Sequence, residues 1–147
     1  MRISLAALGS AIALALACKG GATAPDPKSL YRLDAAAEPA TVAPGSGGIF
    51  RIAVRPTRKG AHVKPETPFH GTLDSSGPIR LEKREIAYAD RARVENGGPV
   101  FEVPFSAIAA GEGSLRAELV FFVCTEQACM RTTENVDLPV HVREARD

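Results

Sequence analysis

Leu115-Arg116-Ala117-Glu118-Leu119-Val120-Phe121-Phe122-Val123-Cys124-Thr125-Glu126-Gln127-Ala128-Cys129 carries the clearest structural signal in the chain. Leu115, Ala117, Leu119, Phe121 and Val123 alternate with Arg116, Glu118, Val120, Phe122 and Cys124. Alternation of this kind predicts a β-strand with one apolar face, because successive side chains of a strand point to opposite sides. A second alternation follows: Val136, Leu138, Val140 and Val142 against Asp137, Pro139, His141 and Arg143. The segment from Cys124 to Cys129 then caps a hairpin between the two strongest strands. Parity assigns the faces. Cys124 shares a side with Val120 and Phe122, and Cys129 shares one with Arg131, Thr133, Asn135 and Asp137. Without a bulge, both sulfurs are expected on the outer face of one sheet. That face turns apolar at Val120 and Phe122, which are therefore the candidate partner-binding residues.

Working outward, the same period recurs. Phe50, Ile52 and Val54 alternate with Arg51, Ala53 and Arg55, and Phe69, Gly71 and Leu73 with His70, Thr72 and Asp74. Shorter strands are expected at Ile79–Leu81 and Glu85–Ala89. Phe101, Val103 and Phe105 form another, in which Pro104 implies an edge or a strand end. Leu33 and Val42 mark a first edge strand in an Ala/Pro/Gly-rich stretch. Gly60, Ser75-Ser76-Gly77-Pro78, Asn96-Gly97-Gly98-Pro99 and Gly111-Glu112-Gly113 have loop compositions. Short strands separated by regular turns predict an all-β sandwich. Six Phe, two Tyr and no Trp make its core largely aliphatic.

The amino terminus reads differently. Met1-Arg2 precedes an uncharged apolar run, Ile3 to Ala17, and then Cys18. The run is too short to span a bilayer comfortably and suits a signal peptide. Leu14-Ala15-Leu16-Ala17-Cys18 resembles the lipobox of bacterial lipoproteins, whose cysteine is lipidated and becomes the new amino terminus. Ala15-Leu16-Ala17 also fits the small-x-small rule of ordinary signal peptidase, so a soluble secreted protein is the other reading. The expected organisation is a signal peptide at 1–17, a lipidated Cys18 and flexible tether at 18–30, a domain at 31–143 and a tail at 144–147. Anchoring places the domain at the bacterial cell envelope, facing the periplasm or the exterior, with the membrane reached through the lipid. The 18 basic residues less Arg2 leave 17 against 17 acidic ones, which provides no electrostatic case for nucleic acid. Arg55, Arg58 and Lys59 are the densest basic group, and Pro56 and Gly60 beside them indicate a solvated loop.

With Cys18 lipidated, Cys124 and Cys129 are the only intramolecular pair, and export favours its closure. Two roles follow from the spacing. One is a structural staple, in which closing so short a loop contributes about 2 kcal/mol. The other is a redox-active pair. A metal site is a third reading, since Cys124, Cys129 and Met130 are soft donors and His62, His70 and His141 are present. No two histidines have ligand spacing, so no metal and no cofactor are expected. No Ser-His-Asp set, phosphate loop or carboxylate pair stands out.

Several segments together resemble the periplasmic amino-terminal domain of DsbD-type thiol:disulfide interchange proteins and their stand-alone relatives. They are Gly60-Ala61-His62-Val63-Lys64-Pro65-Glu66-Thr67-Pro68-Phe69, Phe101-Glu102-Val103-Pro104-Phe105, Ala110-Gly111, the Leu119–Cys129 segment and Val136-Asp137-Leu138-Pro139-Val140. The likeness covers residues 31 to 143. It implies an immunoglobulin-like β-sandwich, here of about seven to nine strands. It also implies that Cys124 and Cys129 exchange electrons with a thioredoxin-like or membrane thiol-exchange protein. This chain has four residues between the cysteines where the family's redox members usually have five, and Ala128 where they carry an aromatic. A non-catalytic envelope binding or scaffolding module with a stapled hairpin is the alternative.

Overall fold

Alternating residues become strands wherever the sequence offers them, in a computed structural model that describes residues 24–146. Cys18 and the expected signal peptide lie outside the described residues. The strands are β1 (Tyr31–Glu38), β2 (Thr41–Val42), β3 (Gly47–Pro56), β4 (His70–Ser76), β5 (Ile79–Leu81), β6 (Glu85–Ala87), β7 (Arg93–Glu95), β8 (Gly98–Ala107), β9 (Gly111–Cys124) and β10 (Cys129–Val142). They form two sheets, one ordered β1-β3-β8-β5 with β7 also on β8, the other β2-β10-β9-β4-β6. Pairing is antiparallel apart from the short parallel contact of β2 with β10. The result is the expected immunoglobulin-like β-sandwich. Its ten strands exceed the expected number by β2, which has only two residues, and β7, whose Val94 is exposed so that the strand shows no apolar face.

The core is what the alternations place inside. Phe50, Ile52, Phe101, Leu115, Leu119, Phe121 and Val123 are all fully buried. Burying each of these larger side chains contributes roughly 1.5–3 kcal/mol. Phe69 packs against Phe101 at 4.9 Å and Phe121 at 5.4 Å between ring centroids. Phe101 belongs to one sheet and Phe121 to the other, so the stack ties the layers together. Tyr31 meets Phe121 edge-on at 5.2 Å.

Several expectations need correction. Leu33 and Val42 belong to different sheets, and β1 pairs with β3 along its whole length despite its three consecutive alanines. Ala35 and Ala37 pack against the core from this edge, where a small side chain suffices. Within the segment expected as a tether, Pro27–Ser29 form a 3-10 turn capped by Asp26, and Leu30 is fully buried. Strand β6 ends at Ala87. Tyr88–Asp90 turn as a 3-10 helix because the Asp90 carboxylate accepts the Ala87 N–H at 2.8 Å.

Pro104 is not on an edge strand, since β8 is paired on both sides. It falls where β8 lacks a second partner, between β7 at Gly98–Val100 and β5 at Phe105–Ala107. Only Asn96-Gly97 of the expected Asn96–Pro99 loop is a loop. Both have positive φ, 49° and 81°, and so close a tight β7–β8 hairpin. Gly98 is already in the strand, and a Cβ there would lie 1.8 Å from the Val54 carbonyl oxygen.

Arg55 sits in β3 and not in a solvated loop. It begins an ion ladder on the outer face of its sheet, contacting Asp34 at 2.5 Å and Glu95 at 2.9 Å. Arg93 continues the ladder from Glu95 to Glu102, and Arg51 joins Glu102 to Glu38.

Candidate functional site at the cysteine hairpin

Strand β9 ends at Cys124 and β10 begins at Cys129, and the register sets these two residues directly opposite each other. They are joined as a disulfide with a Cα–Cα separation of 3.9 Å. The intervening turn is closed by the Thr125 N–H donating to the Ala128 carbonyl at 2.8 Å. The Thr125 hydroxyl accepts a longer bond from the Gln127 N–H at 3.3 Å.

The two halves of the pair differ in environment. Cys124 is fully buried, whereas Cys129 is exposed. Parity places both on the outer face, as expected, but does not give them equal access to solvent. The cause is their position in the sheet. Cys124 has a neighbour on its far side: the His62 N–H donates to the Cys124 carbonyl at 2.9 Å, and the Cys124 N–H donates to His62 at 2.8 Å. Ala61 and Val63 anchor that neighbour in the core, and the Val63 N–H bonds the Gly97 carbonyl at 2.8 Å. Cys129 begins an edge strand, which meets β2 only at His141 and Val142. Among the described residues, no strand flanks it on the open side.

Val120 and Phe122 lie on the same outer face and are half-buried. Val120 stands across from Thr133 and His70, and Phe122 across from Arg131. They form a small apolar strip leading toward Cys124. The large apolar side chains most exposed among the described residues are elsewhere, at Val94 and Ile108.

A cleft of about 690 Å³ adjoins the hairpin. It lies between Ala24, Pro25 and Leu30, where the chain joins the domain, the Arg58–Gly60 turn, and the hairpin loop with Met130. A buried polar clasp lies nearby. The Tyr31 hydroxyl donates to Glu134 at 2.5 Å and accepts from the Thr132 hydroxyl at 2.9 Å. Burial, then the bond to Glu134, push the Tyr31 phenol well above its usual range, so it stays protonated. Lys28 adds a weaker contact to Glu134 at 3.6 Å. The clasp fixes the start of β1 to β10, just beyond the cysteines. The sequence carried a signal for it: Thr132 and Glu134 are polar at inward positions of a strand otherwise apolar on that side.

The three histidines do not converge. His62 bridges to Cys124, His70 lies in β4, and His141 pairs with Glu112 near the far end of β9 and β10. Among the described residues no group of three or more His, Cys, Asp or Glu is placed to hold a metal ion. Both hairpin sulfurs are committed to the disulfide. No helix among the described residues is long and apolar enough to cross a membrane.

No family model matches the chain, and no curated protein matches it. Among solved structures, WR4, a C. elegans MSP family member, is similar over 78% of this chain and 98% of its own, with 8% sequence identity and a TM-score of 0.39. The resemblance to DsbD-type domains rests on the quoted residues alone.

Proposed function

We propose that this chain is a bacterial envelope lipoprotein, held by Cys18, whose Cys124–Cys129 disulfide exchanges with a thiol-bearing partner. The observation that carries the proposal is the unequal exposure of the pair. Exchange needs one sulfur open to an incoming thiolate and a second that leaves. Cys129, on the open edge, is the sulfur attacked. The partner thiolate bonds to Cys129 Sγ as the Cys124–Cys129 bond breaks, and Cys124 departs as a thiolate that takes up a proton. A second thiol of the partner then attacks the mixed disulfide. It leaves Cys124 and Cys129 reduced and the partner oxidised; the reverse sequence returns the electrons. A thioredoxin-like protein or a membrane thiol-exchange protein fits this role. Val120 and Phe122 supply apolar contact beside the pair.

The test is the reduction potential of the pair, measured against glutathione or dithiothreitol. Exchange proteins fall between about −270 and −120 mV, and structural disulfides below about −300 mV. A value in the first range is expected, and one in the second rejects exchange.

One observation favours a second reading. Cys124 is fully buried and held by two backbone bonds to His62, as suits a staple for an envelope binding or scaffolding module. Burial in apolar surroundings disfavours the thiolate that exchange would release. The same potential measurement decides between the two.

A further inference from the structure

We infer that the cysteine-hairpin end of the sandwich is the end that rests on the membrane, where it contacts an anionic lipid surface through Arg58 and Lys59. The inference builds on the lipid anchor proposed above and adds an orientation to it.

Placement at one end of the fold supports this. The described chain begins at Ala24 and Pro25, and both line the cleft shared by the Arg58–Gly60 turn and the hairpin loop. Six residue steps separate Cys18 from Ala24, a reach of about 20 Å at full extension. The Asp26 cap, the buried Leu30 and the Tyr31 clasp hold the rest of the segment to the domain. An anchor at Cys18 therefore tethers this end closely. The opposite end, at Ile108, is separated from the hairpin by the length of β9, about 40 Å for its 14 residues.

The hairpin end also carries the charge such a contact needs, although exposed Arg80 and Arg143 toward the other end are likewise without an ion pair among the described residues. Arg58 and Lys59 are exposed and make no ion pair among the described residues. That contrasts with Arg51, Arg55 and Arg93, which are consumed by the ladder on the outer face of the other sheet. Glu126 is the one acidic residue lining the cleft. Cations within a Debye length of an anionic bilayer are attracted to it, and those farther away are screened. A tether of that reach lets Arg58 and Lys59 approach that surface to within a Debye length. A partner that exchanges with Cys129 must then work at the membrane surface.

The chain has no tryptophan, so a single introduced Trp is the sole indole emitter. Gln127→Trp marks the hairpin end and Ile108→Trp the far end. Both full-length variants are expressed in bacteria and placed on phosphatidylcholine–phosphatidylglycerol vesicles carrying a headgroup nitroxide lipid. The mass of the amino-terminal peptide shows whether Cys18 is lipidated, which tests the anchor separately. If Cys18 is unmodified, a maleimide lipid is coupled to its thiol, so the orientation is still read. Quenching of Gln127→Trp is expected to exceed that of Ile108→Trp several-fold. Adding Arg58→Glu and Lys59→Glu should reduce it on anionic vesicles and leave it unchanged on neutral ones. Equal quenching at both sites, or stronger quenching at Ile108→Trp, overturns the orientation. Quenching unaffected by the charge reversal overturns the contact through Arg58 and Lys59.

Discussion

At the scale of single residues, the hairpin cysteines are unequal partners with a common bond. After reduction of the folded protein, a short pulse of iodoacetamide should modify Cys129 at least tenfold faster than Cys124, read by peptide mass spectrometry. Equal rates would mean that the His62 segment does not shield Cys124 in solution. Single-cysteine variants extend the test. Cys124→Ala leaves the exposed sulfur and should trap a mixed disulfide with an exchange partner, whereas Cys129→Ala leaves the buried one and should not. Loss of the bridge should lower stability by about 2 kcal/mol, because the closed loop is short.

Tyr31 is a residue-scale case with a pH signature. Its folded pKa lies above the unfolded value of about 10. The stability it contributes is therefore complete below pH 10 and is lost as pH rises beyond that. Tyr31→Phe should cost roughly 1–3 kcal/mol at neutral pH, since Glu134 and Thr132 lose their buried partner. It should also flatten the alkaline loss in urea denaturation measured from pH 8 to pH 11. An unchanged alkaline slope would show that other groups govern that limb.

At the scale of elements, the long strands and the short β5 and β6 were legible, whereas β2 and β7 were not. β3, β4, β8, β9 and β10 follow from alternation alone. β7 was hidden, although Asn96-Gly97 is the dipeptide that a tight hairpin requires. Gly97→Ala should cost about 1 kcal/mol, because its φ of 81° disfavours a side chain and the new Cβ would lie 3.1 Å from the His62 Cβ. Thermal unfolding compared with Gly60→Ala, also at positive φ but with open space around it, separates the clash from the backbone effect.

The ion ladder belongs to this scale too. Asp34 is held below its usual carboxylate range by Arg32 and then Arg55, and Glu95 by Arg93 and then Arg55. Their contribution is present above the unfolded carboxylate pKa of about 4 and is lost as pH falls through the depressed folded values. The urea midpoint should therefore drop on acidification from pH 5 to pH 2. The drop should be smaller in Asp34→Asn with Glu95→Gln, and smaller in high salt, as both groups are only half-buried and remain open to solvent screening.

At the scale of the whole molecule, the proposed anchor and the hairpin act as one arrangement. Cys18→Ser should move the protein from the membrane fraction to the soluble fraction, followed by immunoblotting of separated fractions. Protein that stays membrane-bound after the substitution would show that the lipid is not what holds it. Two or more acyl chains give firm attachment where one gives only marginal binding, so the native protein should resist a salt wash.

The alternating residues by themselves determined that this chain makes a β-sandwich, which strands carry its core, and that Cys124 faces Cys129 across a hairpin. They do so because a strand's two-residue period is local: each side chain's face follows from its position in its own strand. Tertiary structure alone decided that Cys124 is buried and Cys129 exposed. That difference depends on which strand has a neighbour, and His62 comes from 62 positions before Cys124, a separation no local pattern encodes. The same holds for Arg55, which reads as part of a basic loop but is neutralised by Asp34 and Glu95 from two other strands. It holds again for Ala24 and Pro25, whose place beside the hairpin arises only when the first residues of the domain pack against its last strand.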